Sequence, residues 1–168
     1  MLTDIFLHTP RWVWIVFAAL VWLGAKQMVA NTVSLGRTTL MPLVMVGLSI
    51  SGLASAFGDS PTALVAWAAA AVVTATLVQQ RALPASTRYD AASRRFHLAG
   101  SAVPLALMMG IFLTKYVVGV MMAMQPGLRH DAVFTLVVPL IYGAFSGIFA
   151  GRALRLWRVA IHADRAVA

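Results

Sequence analysis

The chain has 168 residues, 61% hydrophobic and only 11% charged, with 13 Lys and Arg against 5 Asp and Glu and a formal charge of +8. A soluble domain carries about 25% charged residues, so the mean hydropathy of +0.85 excludes an ordinary water-soluble fold and indicates a membrane protein. With no cysteine, disulfides, thiolate metal sites and thiol redox couples are excluded as well.

Five apolar stretches, residues 10–29, 40–57, 61–78, 102–124 and 132–150, approach or reach the roughly 18 to 20 residues that cross the hydrocarbon layer. Membrane barrels use short alternating segments, whereas these runs are apolar all round and rich in alanine and leucine. The expected fold class is therefore all-α. It is a polytopic membrane bundle of five transmembrane helices, one domain over residues 1–168, with a basic amphipathic C-terminal helix.

Thr9 before Pro10 offers helix-start chemistry for the first span. Trp12, Trp14 and Phe17 suit an interfacial aromatic belt. Its Trp12 to Leu23 core has the length of a signal-peptide h-region. The basic flank is on the wrong side, however: Asp4 and Arg11 balance before the span and Lys26 follows it, so it reads as a true helix. In the second span, Gly47, Ser51 and Ser55 form a stripe of small residues suited to close helix packing. Asp59 and Ser60 precede Pro61 and supply the start of the third.

Residues 79–101 form the longest polar segment and carry four arginines against one aspartate. Residues 87–90 and 94–98 have strand character around an Ala-Ala-Ser turn. A lone hairpin is marginal, so the segment reads first as a solvated basic loop drawn to anionic lipid.

The fourth span contains Lys115, with Thr114 and Tyr116 beside it. A cation inside a span is costly and seeks a partner, the bundle interior or water. It is the candidate for an anion or proton site, and its candidate structural partners are Asp59, Asp131 and Tyr142. The span holds no carboxylate, which makes a proton relay through Lys115 a poor fit. Met121, Met122 and Met124 read as packing or lipid-facing residues rather than Cu(I) ligands.

Asp131 precedes the fifth span, where Gly143, Gly147 and Gly151 recur every four residues with Ser146 alongside, and where Pro139 is expected to kink the helix. Beyond it, residues 152–165 place Arg152, Arg155, Arg158, His162 and Arg165 at steps of three or four, with Leu154, Leu156, Trp157 and Ile161 between. That spacing describes a helix lying on the inner leaflet with its arginines on lipid headgroups. The histidines, His8, His97, His130 and His162, all fall near span borders, so neither a haem nor a zinc site is expected and no cofactor is assigned. No span supplies a base for a serine nucleophile, and no enzyme is expected.

Lys26, Arg37, Arg81, Arg88, Arg94, Arg95, Arg152, Arg155, Arg158 and Arg165 fall on one side of the five spans, and only Arg11 and Arg129 on the other. Basic residues are retained in the cytoplasm, so the N-terminus is expected outside and the C-terminus inside.

The segments HTPRWVW (residues 8–14), Tyr89-Asp90, RRFHLAGS (94–101), MMGIFLTKYVVGV (108–120) and YGAFSGIFAGRALRL (142–156) together resemble a family of small proteobacterial inner-membrane proteins of unknown function. The five-span layout is also similar to that of the CcdC-like proteins. That resemblance implies an accessory role in membrane redox or protein maturation, with no electron carried by this cysteine-free chain.

The expected function is that of a non-catalytic accessory or scaffold protein of the bacterial inner membrane. Anionic lipids of the cytoplasmic leaflet are its partners, together with a second copy or another membrane protein, and nucleic acid is not. The alternative is a small transporter or channel using Lys115. The topology predicts that Ser60→Cys and Gly127→Cys react with an impermeant maleimide from outside the cell, and Ser93→Cys only from inside; the opposite labelling would invert the map.

Overall fold

The computed structural model describes residues 10–58, 60–83, 87–90 and 93–167. Thr9, Asp59, His8 and the Ala-Ala part of the proposed turn lie outside them. Among the described residues the chain runs α1 (Arg11–Lys26), β1 (Asn31–Ser34), α2 (Leu35–Phe57), α3 (Pro61–Gln80), β2 (Arg88–Asp90), β3 (Arg95–Leu98), α4 (Val103–Met124), a 3-10 turn (Pro126–His130) and α5 (Ala132–Val167).

Among the described residues, four helices are long and apolar enough to cross a membrane: α2, α3, α4, and α5 over Ala132–Ala163. The fifth expected span, α1, has 16 residues and is about 24 Å long, short of the hydrocarbon thickness. The chain divides into two compact units, one containing α1 and α4, the other the strands, α2, α3 and α5.

In the first unit α1 and α4 run antiparallel. At Gly24 a Cβ would come within 2.9 Å of Leu105 Cβ, and the Phe17 and Phe112 rings meet at 5.5 Å. The end of α1 is tied to the start of α4 by the Ser101 amide, which donates to the Gln27 carbonyl at 2.9 Å.

In the second unit α2 and α3 are joined by Gly58, whose φ of 60° lies in the left-handed region that glycine adopts without a Cβ clash. Ser60 then caps α3 by accepting from the Ala63 amide at 3.5 Å, and Asp131 Oδ1 caps α5 by accepting from Phe134 at 2.8 Å. α2 begins five residues before the expected residue 40, because Ser34 is already an N-cap, its hydroxyl accepting from the Arg37 amide at 3.4 Å. Pro42 therefore lies inside α2 rather than at its start.

α5 runs parallel to α3 at backbone contact. A Cβ on Gly143 would collide with the Trp67 carbonyl, one on Gly147 with Thr74 Oγ1 and the Ala71 carbonyl, and one on Gly151 would lie 2.8 Å from the Ala75 carbonyl. α5 is a single helix of 36 residues, about 54 Å long, and passes through the buried Pro139 without a break. Residues 152–165 are thus the end of α5 and not a separate helix.

Arg88–Asp90 and Arg95–Leu98 are strands and not parts of a solvated loop. β3 pairs antiparallel with β2 on one side and β1 on the other, giving the order β1-β3-β2. The third strand, Asn31–Ser34, supplies the pairing that an isolated hairpin lacks. Phe96 is fully buried, with the Tyr89 ring at 4.7 Å and Val33 paired across from it. Replacing a buried phenylalanine by alanine costs about 3–5 kcal/mol in a packed core. Phe96→Ala is therefore expected to expose Arg88, Arg94 and Arg95 to trypsin while the helical circular-dichroism signal persists; unchanged protection would show that the sheet does not depend on this ring.

Candidate functional site

Thr114, Lys115 and Tyr116 lie on α4. The Thr114 hydroxyl is spent on its own helix, donating to the Gly110 carbonyl at 2.7 Å. The Tyr116 ring stacks on Phe112 at 6.4 Å and 8°, continuing the aromatic contact with Phe17 on α1. Lys115 is half-buried. The antiparallel register fixed by Gly24 against Leu105 and Phe17 against Phe112 brings position 115 level with Trp14, one turn from the first residue of α1. Trp12 and Trp14 are exposed at this end, where an amphipathic ring sits at headgroup depth.

Of the candidate partners for Lys115, Asp59 lies outside the described residues. Asp131 serves as the α5 cap. Tyr142 is buried in α5, and its carbonyl accepts from Ser146 at 2.9 Å and from Ser49 at 3.3 Å. Asp131 and Tyr142 belong to the second unit, Lys115 to the first.

The two small-residue faces have different surroundings. Gly143, Gly147 and Gly151 lie against α3. Gly47 has open space around it, and Ser51 and Ser55 are exposed, their hydroxyls turned back to Leu48 and Gly52 at 3.0 Å. α2 instead buries Ser49, Leu53 and Ala56.

A chain of hydrogen bonds that the sequence does not announce joins the three helices of the second unit. The Trp67 indole donates to Ser49 Oγ at 3.0 Å, and Ser49 donates on to the Tyr142 carbonyl. Lower down, Thr74 Oγ1 reaches both the Ala70 carbonyl of α3 at 2.7 Å and the Ala144 carbonyl of α5 at 3.2 Å. Such bonds contribute about 0.6 kcal/mol each in apolar surroundings. A signal for them exists: Trp67 and Thr74 are seven residues apart, on one face of α3.

In the second unit the basic residues other than Arg129 gather where α2 begins, α3 ends and α5 continues past both. Arg155 Nη1 donates to the Arg81 and Ala82 carbonyls at 2.8 and 3.3 Å, placing a cation at the negative end of α3. The Trp157 indole donates to Thr39 Oγ1 at 2.9 Å. Arg152 is half-buried and Arg158 and Arg165 are exposed. The expected division of this segment into an arginine face and an apolar face is corrected. Leu154, Trp157 and Ile161 share the exposed side with Arg158, His162 and Arg165, while Ala160 is buried. Arg155 is drawn away from the row by the α3 carbonyls. Among the described residues, no three His, Cys, Asp or Glu side chains form a group able to hold a metal.

These features describe a helix-dominated protein with, among the described residues, four apolar helices of membrane-spanning length, a glycine-mediated helix pair and a small basic sheet in the second unit. The chain belongs to a family of unknown function, DUF6622, whose model matches residues 1–168. No curated protein and no solved structure matches it.

The glycine contacts give a direct prediction. Gly147→Ile places a branched side chain on Thr74 and the Ala71 carbonyl, so the variant is expected to lose thermal stability in detergent by about 2–3 kcal/mol from overpacking. Gly47→Ile, in open space, is expected to leave stability near the wild-type value. Equal effects at the two positions would contradict the packing.

Proposed function

We propose that this protein is a non-catalytic accessory or scaffold protein of the bacterial inner membrane, crossing it five times with its N-terminus outside and its C-terminus in the cytoplasm. The observation that carries this reading is how the polar groups of the apolar helices are used. Ser49, Trp67, Thr74, Thr114 and Ser146 are spent on helix carbonyls and on each other. A conduction path needs polar groups to line it; here Ser49, Trp67 and Thr74 join helices, while Thr114 and Ser146 turn back on their own helices.

Antiparallel packing along α4 supports α1 as a fifth crossing despite its 16 residues. Tilt, local thinning and flanking tryptophans accommodate such a short helix. The orientation is supported by the second unit. Arg37, Arg81, Arg88, Arg94, Arg95, Arg152, Arg155, Arg158 and Arg165 lie toward the α2 start and the α3 end, and Arg129 lies at the other. By the retention of cations in the cytoplasm, the former end is inside. Anionic lipids are then the natural partners of that end, and the open Gly47 face of α2 suits contact with a second copy or another membrane protein.

The competing reading is a small transporter in which Lys115, half-buried on an apolar helix, attracts an anion. Its position level with Trp14 favours an anchor whose ammonium reaches the outer headgroups. In liposomes with a chloride or proton gradient, wild type and Lys115→Met are expected to leak no faster than protein-free vesicles. A flux present in wild type and lost in the folded Lys115→Met variant would establish the transporter instead.

A further inference from the structure

We infer that the outward face of the three-stranded sheet binds the phosphate of anionic phospholipid headgroups, through Arg88 and Arg95 with Thr32 and His97 between and beside them. The inference rests on the membrane reading and names the element that recognises the lipid.

Strand alternation sorts the sheet into two faces. Val33, Phe96 and Tyr89 form one row across the three strands; Phe96 is fully buried, and β2 packs on α5. The opposite face carries Thr32, His97 and Arg88 in one row and Ser34, Arg95 and Asp90 in the next. All six are exposed. Thr32 Oγ1 and His97 Nδ1 lie 3.3 Å apart, so the imidazole stands in the middle of its row. Asp90, the register partner of Arg95, accepts from the Ser93 hydroxyl at the turn and keeps its charge, so Arg88 and Arg95 against Asp90 leave the face one positive charge in excess. The guanidinium forks match a phosphate diester in geometry as well as charge, and the bonded Thr32–His97 pair can add one further donor, the hydroxyl or the imidazole Nε2–H according to the tautomer.

Depth selects the lipid over a soluble ligand. The bonds of Arg155 to the α3 end and of Trp157 to Thr39 set one level on the second unit, where α3 ceases to be apolar. β1 runs directly into α2, and Ser34 lies five residues before Thr39, about 7 Å farther along the helix direction. The polar layer of a leaflet is about 5–7 Å deep beyond the hydrocarbon. The sheet thus meets the headgroup layer at its Ser34 edge, where a basic cluster beside a spanning helix is drawn to anionic lipid.

The test is native mass spectrometry of the full chain released from nanodiscs of phosphatidylcholine mixed with phosphatidylglycerol. Wild type is expected to retain phosphatidylglycerol preferentially. Arg88→Gln with Arg95→Gln is expected to weaken that retention about 30-fold, the attraction of two surface arginines, whereas Arg158→Gln with Arg165→Gln on α5 retains most of it. Thr32→Ala with His97→Gln, which keeps both arginines, gives a second reading if the first pair does not fold, and is expected to reduce retention less. Full retention in both sheet pairs would overturn the inference. So would displacement of the lipid by inorganic phosphate, or binding of polyglutamate to neutral-lipid nanodiscs through the same arginines. A chain that enters nanodiscs yet shows no preference refutes the lipid site alone; one that cannot be incorporated refutes the membrane reading beneath it.

Discussion

The second unit depends on how closely α3 and α5 approach. Inside a hydrocarbon layer there is no hydrophobic gain in bringing two apolar helices together, so association relies on van der Waals contact and hydrogen bonds. Gly143, Gly147 and Gly151 allow the α5 backbone to rest on the carbonyls of Trp67, Ala71 and Ala75. At that separation Thr74 can donate across to Ala144, and Ser49 of α2 can reach the Tyr142 carbonyl. Ordinary interaxial distances of about 8–10 Å would leave these short hydroxyl side chains out of reach.

The same register governs the basic end. Because α5 is parallel to α3 and in contact with it, the residues one and two turns beyond Gly151 arrive where α3 stops. Arg155 finds the orphan carbonyls of Arg81 and Ala82, and Trp157 meets Thr39 as α2 begins. The sheet is built on this end: β1 leads into α2, the Leu35 amide donates to the Arg94 carbonyl at 3.2 Å, and β2 packs on α5. A slip of α5 by one turn would break the Arg155 cap and bring a residue with a side chain against one of the three α3 carbonyls that the glycines now meet. The basic surface is therefore a consequence of helix packing as much as of composition.

Much of this was legible in the sequence where the signal is local. Ser60 and Asp131 marked helix starts because a capping side chain acts within three residues, and the glycine period of α5 marked a face made for close approach. The partner of that face was not legible, because an alanine-rich helix such as α3 offers its backbone rather than a distinctive side chain. β1 was missed for a related reason. Asn31–Ser34 is too short for a periodic signal, and its partners, Arg95 to Leu98, lie more than sixty residues away. The alternation of Arg95, Phe96, His97 and Leu98 was the visible half of that pairing. For Lys115, sequence showed its depth on α4, but only the α1 register placed it beside Trp14.

The close approach of α3 to α5 in a bilayer can be measured directly by solid-state NMR. A Cβ on Gly143 would lie 2.9 Å from the Trp67 carbonyl carbon, so with a bond of about 1.5 Å the Gly143 Cα is within about 4.5 Å of it. In lipid-reconstituted protein carrying carbon-13 at these two atoms, a strong dipolar coupling corresponding to that separation is predicted. A coupling corresponding to a separation well beyond about 5 Å, as for backbones kept apart by intervening side chains, would contradict the account.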